Sequence, residues 1–313
     1  MVNHDNPIIE TADKLSIPDI LAAFSTFDGI YKREHIDAAI LQKQEITPRL
    51  IEILENLLAD PEKYAEDEML YDHIYAVMLL GHFKEPKAHQ VIIDLFSLPG
   101  DMPDQLFGDI CTSDLSMILF NTCGGDVDSI HSMILNRKAD DYCRASAFQA
   151  LAYAVVEGCF PREKALAFFN TLFTGEEAEK TSDFWGFLAM TIYDLYPEES
   201  MEVIRQAYQD KLISPGMIAF SDFKKALSIG KDKCLEKIKR DFARYSLDDI
   251  HASMSWWSCF KEENDAAKAS GIAENGSFSG YADRSDCQSP KNEKKNKKKK
   301  RKQAKASKKK NRR

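Results

Sequence analysis

Apolar side chains recur along this chain with the spacing of α-helices. Through the first 260 residues they repeat at positions i, i+3, i+4 and i+7. Alternation of β-branched with polar residues is nearly absent, and so are the Asn-Gly turns of β-hairpins. The pattern therefore predicts an all-α fold in which short helices follow one another in pairs.

Glycines and prolines divide the pattern into individual helices. Four pairs are predicted, at residues 68–83 with 86–98, 114–122 with 126–135, 142–157 with 161–173 and 184–196 with 197–209, followed by two helices at 232–245 and 247–259. An earlier helix is predicted to open at Thr47 as its N-cap, with Pro48 at the first helical position.

The pairs recur with a period typical of helical repeats. Leu80, Leu119 and Leu151 follow one another at intervals of 39 and 32 residues, close to the period of helical-repeat units. Small alanines near these leucines let two helices approach closely. The spacing predicts a HEAT-like α-solenoid of antiparallel helix pairs over residues 16–260. The alternative is an irregular helical bundle with coincidental alanine placement.

The same region resembles a bacterial family of unknown function that is built from HEAT-like helical pairs. The resemblance extends over residues 31–260 and is carried by HIYAVMLLGHFKEPKA, DLFSLPG, FGDI, RASAFQAL and DLYPEES. Many members of that family end in a SEC-C zinc motif with Cys-x-Cys and a later Cys-Cys or Cys-His pair. Here Cys287 stands at the corresponding place, and no cysteine or histidine follows it. Because tetrahedral zinc needs four ligands, we expect no such zinc site here.

Charge is divided sharply between the body and the end of the chain. Residues 291–313 contain 15 Lys or Arg and one acid, Glu293, whereas residues 1–290 contain 27 basic and 49 acidic side chains. A charge block of this kind does not fold alone, and it serves as an interaction arm for polyanions. We predict a disordered tail whose polyanion-binding residues are Lys294, Lys295, Lys297, Lys298, Lys299, Lys300, Arg301, Lys302, Lys305, Lys308, Lys309, Lys310, Arg312 and Arg313.

The sequence alone leaves several ligands open for this tail. RNA or the ribosome fits best, and binding should be sequence-blind and salt-sensitive because no aromatic residue interleaves the lysines. Anionic lipid, the acidic body of the same chain, and a nuclear-localisation role for KKKKRK at residues 297–302 are the alternatives.

The remaining segments and the cysteines indicate a soluble chain from a reducing compartment. Residues 1–15 are predicted to be flexible, and residues 261–290 read as a flexible linker of small and polar residues. No signal peptide and no apolar run of about 20 residues is present. Seven cysteines without a C-x-x-C pair are expected to be buried thiols, which favours the cytoplasm.

Sites for chemistry are sparse. His73, His82 and His89 are a candidate metal cluster, against the simpler interpretation that they occupy polar positions on turns. The carboxylates of Asp101, Asp104, Asp109 and Asp114 are candidates for acid–base chemistry, against helix N-capping. The H-E-x-x-H, P-loop, G-x-G-x-x-G and G-x-S-x-G patterns are absent.

Aromatic residues at the end of the predicted helical domain point to packing. Trp256, Trp257 and Phe260 are expected to form a plug over the final repeat, with an exposed partner anchor as the alternative.

These observations favour a non-enzymatic scaffold or adaptor. Its helical repeats would bind a protein partner and its tail RNA, the ribosome or another polyanion, with no catalytic, cofactor or metal site. An effector that uses the tail as an address for a host nucleus is the first alternative, and an enzyme of unrecognised type is the second.

Overall fold

Helices form the part of the chain that the structure describes. The computed structural model describes residues 15–260, and within that range it contains no strand, only isolated bridges at Thr26–Leu70 and Pro99–Ala139. Its α-helices are α1 (Ile17–Ser25), α2 (Arg33–Leu41), α3 (Lys43–Ala59), α4 (Pro61–Glu66), α5 (Asp72–Phe83), α6 (His89–Phe96), α7 (Met102–Phe107), α8 (Ile110–Ser113), α9 (Leu115–Thr122), α10 (Asp128–Leu135), α11 (Asp141–Val156), α12 (Arg162–Asn170), α13 (Phe184–Asp194), α14 (Met201–Gln209), α15 (Phe220–Ile229), α16 (Lys231–Arg244) and α17 (Ile250–Met254).

The predicted all-α class is confirmed for this part of the chain, and so are the four helix pairs. They correspond to α5 with α6, α9 with α10, α11 with α12, and α13 with α14. Short 3₁₀ turns at Pro86–Ala88 and Glu198–Ser200 lead into α6 and α14. No helix between residues 15 and 260 is long and apolar enough to cross a membrane.

The predicted start of the helix at Thr47 is wrong. Helix α3 begins at Lys43, so Pro48 lies inside it, and the Thr47 hydroxyl donates to the Lys43 carbonyl at 2.6 Å instead of capping the helix. Pro48 lies in the second turn, where its missing N–H removes one backbone hydrogen bond of the helix, and this is the usual cost of a proline beyond the first turn. Sequence reasoning also missed α1, α2, α4, α7, α8 and α15, and it placed a helix at 247–259 where only the shorter α17 forms.

Four helices that are apolar on all sides form a central row. Helix α5 packs against α9, α9 against α11, and α11 against α13. Ten of the twelve residues of α5 are buried, as are seven of eight in α9 and nine of eleven in α13. A helix that is hydrophobic all round must be covered on every side. The row therefore needs a layer on each of its two faces.

The second helices of the pairs supply one of these layers. Helix α6 packs against α3, α9 and α10, α10 packs against α11, and α12 packs against α11 and α13. These outer helices are amphipathic: α12 buries Ala165, Leu166 and Phe169 on one side and exposes Lys164 on another.

Two buried arginines tie neighbouring pairs together. Arg144 in α11 donates from Nε to the Ile134 carbonyl at the end of α10, and its guanidinium lies over the Phe184 ring at 3.8 Å. Arg162 in α12 donates to the Leu195 carbonyl just past α13 and forms a two-armed ion pair with Glu199. Burial lowers the pKa of Arg144 to about 10, so it stays charged at neutral pH. Both arginines satisfy carbonyls at helix ends, which have no partner within their own helix.

Most cysteines of the described region are buried free thiols, as predicted. Cys111, Cys123, Cys143 and Cys234 are buried, and burial is the main cause that raises the pKa of the Cys123 thiol. Cys159 is exposed, contrary to the prediction, because it lies in the turn after α11. Cys287 lies outside the described residues.

Candidate functional site

The predicted polyanion-binding residues, Lys294 to Arg313, all lie outside the described residues, as do the linker at 261–290 and residues 1–14. Their role in polyanion binding therefore stays a prediction. Within residues 15–260 the most distinctive feature is a C-terminal strap, residues 231–260, which covers the second face of the central row.

Helix α16 is the first part of the strap and packs on α11 and α13. Its apolar side chains Cys234 and Ile238 are buried. The ring of Phe242 makes edge contacts with Phe120 on α9, at 5.3 Å between centroids, and with Tyr153 on α11, at 5.4 Å. One side of this helix thus closes the groove between two central helices.

The turn after α16 crosses α5 at a glycine. A side-chain carbon on Gly81 would lie 2.9 Å from Cγ1 of Ile118 and 3.0 Å from Cδ1 of Leu247, so any larger residue would displace these side chains, and glycine lets the strap and α9 approach closely here. His82 binds the Leu247 carbonyl through Nδ1 at 2.6 Å, and Lys84 pairs with Asp248 at 3.0 Å. Both contacts fix the strap to the end of α5.

Helix α17 joins the N-terminal helices through a Tyr–His–Asp chain. The Tyr31 hydroxyl lies 2.8 Å from Nδ1 of His251, and Nε2 of His251 lies 2.8 Å from Oδ1 of Asp37 on α2. A neutral imidazole with its proton on Nε2 accepts from the tyrosine and donates to the aspartate. These residues are separated by 220 and 214 positions in sequence.

This chain of hydrogen bonds has two of the links found in nucleophilic catalysis, where a base binds the nucleophile and a carboxylate orients the base. Its surroundings are different. The Tyr31 ring is only 5% exposed and packs against Phe260 at 5.2 Å, so the hydroxyl is enclosed by packing. The arrangement serves to fasten α17 to the start of the fold.

An aromatic plug completes the strap. Phe260 is buried and contacts the rings of Phe27, Tyr31 and Tyr71, and Trp257 stacks on it at 6.0 Å. The plug therefore lies against the N-terminal helices, whereas the sequence predicted one over the final repeat. Trp256 is 48% exposed, and its role as a partner anchor stays a prediction.

The three candidate metal-binding histidines bind different partners. Nε2 of His73 lies 2.9 Å from the Leu106 carbonyl, and Nδ1 of His89 lies 2.9 Å from the Thr122 hydroxyl. His82 binds the strap, as described above. Between residues 15 and 260 no group of three or more His, Cys, Asp or Glu side chains is arranged to hold a metal ion.

The four candidate carboxylates lie around α7 and α8, and no three of them are arranged to hold a metal ion. Asp101 accepts from Gln105 at 2.7 Å, and none of Asp101, Asp109 and Asp114 makes a side-chain capping bond at the helix that it precedes. The capping interpretation is therefore wrong for these three aspartates. Asp140, at a later turn, does cap its helix, because it accepts from the first backbone N–H groups of α11.

Asp114 is the unusual member of that set. It is partly buried between α8 and α9, and the Ser113 hydroxyl donates to it. Burial raises the pKa of Asp114 to about 6, against the lowering effect of the serine. Ionisation of a carboxyl in such a position lowers folding stability.

Comparison with known proteins gives the family of the chain but no activity. A sequence model described as "Protein of unknown function (DUF1186)" matches residues 15–261. An uncharacterized protein of Chlamydia trachomatis serovar D is 33% identical over 225 residues, which cover 72% of this chain and 89% of that protein.

A second relative gives the same picture. An uncharacterized protein of Chlamydia muridarum is 32% identical over 245 residues, covering 78% of this chain and 97% of that protein. No solved structure matches the chain. The family match includes every described helix, and the chain therefore belongs to the DUF1186 family.

Proposed function

We propose that this protein is a non-enzymatic adaptor that joins a protein partner to a polyanion. Its body is a HEAT-like stack of helical hairpins that offers a surface to the partner. Its basic tail holds RNA, the ribosome or another polyanion. In this proposal the lysine run takes the place that a C-terminal zinc motif has in the family that the sequence resembles.

The division of charge is the observation that carries the proposal. The segment 291–313 has 15 cations and one acid, and it follows a region, 1–290, in which 49 acids outnumber 27 bases. Each phosphate neutralised by a lysine or arginine releases a counterion, so such a tail binds nucleic acid strongly at low salt. Most of the body is acidic and repels the same ligand, which leaves its acidic surface available for a protein.

The outer layer of the body is where we place the protein partner. The strap covers one face of the central row, so α6, α10 and α12 carry the accessible surface of the repeats. Leu135 at the end of α10 and Tyr142 at the start of α11 are 53% and 50% exposed and flank the same turn. We take this adjacent pair as the anchor for the partner, since tyrosine is enriched among the residues that dominate binding at interfaces.

Deletion of residues 287–313 tests the polyanion half of the proposal. The intact chain should be retained on heparin and on an RNA resin and should elute as salt rises, because the contacts are electrostatic. The truncated chain should pass through both columns at low salt. Full retention of the truncated chain would contradict the proposal.

Affinity capture tests the protein half. A partner should co-purify with the intact chain after nuclease treatment, and Leu135→Glu should lower its recovery several-fold. Ile229→Glu is the matched control, because Ile229 is 48% exposed but lies at the end of α15. Equal loss with both substitutions would contradict placement of the partner at α10.

The run KKKKRK at residues 297–302 supports a nuclear address as a second candidate function. A tagged chain that accumulates in the nuclei of eukaryotic cells, and loses this location when residues 297–302 are changed to glutamine, would favour it over the adaptor.

A further inference from the structure

Helix α16 has a cationic stripe on the side that faces solvent. Lys233, Arg240 and Arg244 are exposed, and their spacing of seven and four residues places them within about 40° of arc on the helix. The side chains that hold this helix to the body, Cys234 and Ile238, lie on another side. The stripe is therefore presented outward from a helix that is already anchored.

The stripe lies in a basic region of an otherwise acidic body. Residues 220–245 contain 8 basic and 4 acidic side chains, whereas the rest of residues 15–260 contains 15 basic and 36 acidic ones. About a third of the cations of the described chain thus lie in this one segment. This local excess is opposite in sign to the rest of the body.

The cations of the stripe lack carboxylate partners within the described residues, although other cations nearby have them. Lys237 pairs with Asp241 at 3.0 Å, so the charge of Lys237 is balanced within the protein. Lys233 lies four residues before Lys237, and Arg240 four before Arg244, so like charges are neighbours along the helix. Such pairs destabilise a helix, and an external anion would relieve the repulsion between them.

The chemistry of the stripe fits phosphate. Arginine binds phosphate with two parallel N–H donors, and two of the three cations of the stripe are arginines. The guanidinium of Arg244 lies over the ring of Tyr245 at 5.6 Å, which adds an aromatic surface to the cationic one. From residue 233 to 244 the helix extends about 16 Å, a length that spans about five phosphates of one strand in duplex form.

A membrane surface fits less well, because a helix that lies on lipid needs an apolar face to insert. The apolar face of α16 is used against α9, α11 and α13 through Phe242, Cys234 and Ile238. Only the electrostatic contact remains available to a ligand.

We propose that Lys233, Arg240 and Arg244 bind the phosphate backbone of a nucleic acid, as a folded second contact beside the basic tail. This inference deepens the proposed adaptor function and rests on its polyanion half. The tail supplies most of the binding free energy, whereas the stripe fixes the strand against a rigid surface of the body.

The test measures binding of a fluorescent 20-nucleotide oligouridine RNA by full-length chains between about 50 and 200 mM salt. The slope of log affinity against log salt over this range reports the number of phosphate contacts. The first variant is K233E/R240E/R244E. Its matched control is K87E/K138E/K164E, which makes the same charge change at three exposed lysines that also lack carboxylate partners in the described chain. A third chain carries glutamine at all 15 tail cations.

The stripe variant should lower RNA affinity at least tenfold relative to the control and reduce the slope of log affinity against log salt by about 2, since each phosphate contact on a single strand contributes about 0.7. The chain with the neutral tail should still bind RNA weakly. Adding the three stripe substitutions to that chain should abolish this binding. Circular dichroism should show unchanged helix content in all variants.

Equal affinities of the stripe variant and the control would overturn this inference while leaving tail binding intact. Unchanged affinity after neutralisation of the tail would instead overturn the polyanion half of the proposed function. Stripe-dependent binding to phosphatidylserine vesicles without RNA binding would overturn the assignment to nucleic acid.

Discussion

At the scale of single residues, Asp114 couples the stability of this fold to pH. Its folded-state pKa of about 6 lies above the ordinary value of 3.8. The folded protein therefore disfavours the charged form. The contribution of Asp114 to the free energy of unfolding is therefore fully present below about pH 4, where the carboxyl is neutral in both states. It is lost as the pH rises through 6.

Asp114→Asn should accordingly stabilise the protein at pH 8 and leave it almost unchanged at pH 4. A pKa difference of about two units corresponds to about 2–3 kcal/mol in the free energy of unfolding at pH 8. Urea denaturation at the two pH values measures it. Asp109→Asn, at an exposed carboxylate five residues earlier, is the control, and the prediction is wrong if both substitutions have the same pH profile.

The hydrogen bond between Tyr31 and His251 is the second residue-scale contact with a measurable effect. Tyr31→Phe should lower the free energy of unfolding by about 1 kcal/mol, because it removes one hydrogen bond and leaves the packing of the ring unchanged. Amide exchange in residues 250–260 should accelerate more than exchange in α11. Tyr64→Phe serves as the control, and equal changes in the two variants would contradict a specific role of the contact.

At the scale of helices, the sequence of α16 predicts that the segment is helical but not where that helix packs. Its alternation of charged residues with Cys234, Ile238 and Phe242 predicts an amphipathic helix, and the helix at Lys231–Arg244 agrees with that prediction. Nothing in this local pattern indicates which surface the apolar side meets. The contacts with Phe120 and Tyr153 join residues about 90–120 positions apart, and periodicity carries no information at that range.

A signal for the strap was nevertheless present in the central helices. Helices α5 and α13 are apolar on every side, as in HIYAVMLLG and FWGFLAM. A repeat array with one open face needs amphipathic helices, so continuous apolarity indicates a covering layer on both faces. The pair boundaries, by contrast, were predictable because Gly124, Gly158 and Pro161 interrupt the helical pattern locally.

Phe242→Ala should loosen α16 from the central row. We expect a loss of about 2 kcal/mol in stability, below the range for a fully buried phenylalanine because Phe242 is half-buried. Limited proteolysis should cut within residues 231–245 first. Lys239→Ala, at an exposed position of the same helix, should have little effect, and cleavage that starts elsewhere would contradict the prediction.

At the scale of the whole body, the strap makes the first and last helices interdependent. Tyr31 and Asp37 near the start of the body bind His251 near its end, and Phe260 packs on Phe27. The predicted polyanion-binding residues lie outside the described residues, and they are identified by composition alone.

A chain that ends at residue 230 should self-associate. Removal of the strap exposes the side chains of the central helices to water, and contiguous apolar patches of this kind drive association. Light scattering after size-exclusion chromatography should show dimers or larger species, and a fluorescent apolar dye should bind more strongly than to a chain that ends at residue 260. A monodisperse monomer would contradict the covering role of the strap.

The contact between His82 and Leu247 spans 165 residues, and this has a consequence for biosynthesis. At about 5–20 residues per second, a ribosome makes that intervening stretch in about 8–33 s. Throughout this interval the emerging hairpins present a bare hydrophobic surface that no later part of the nascent polypeptide has reached. Chaperones that hold such surfaces are therefore expected to engage this protein during translation and to depart once its C-terminal helices have docked.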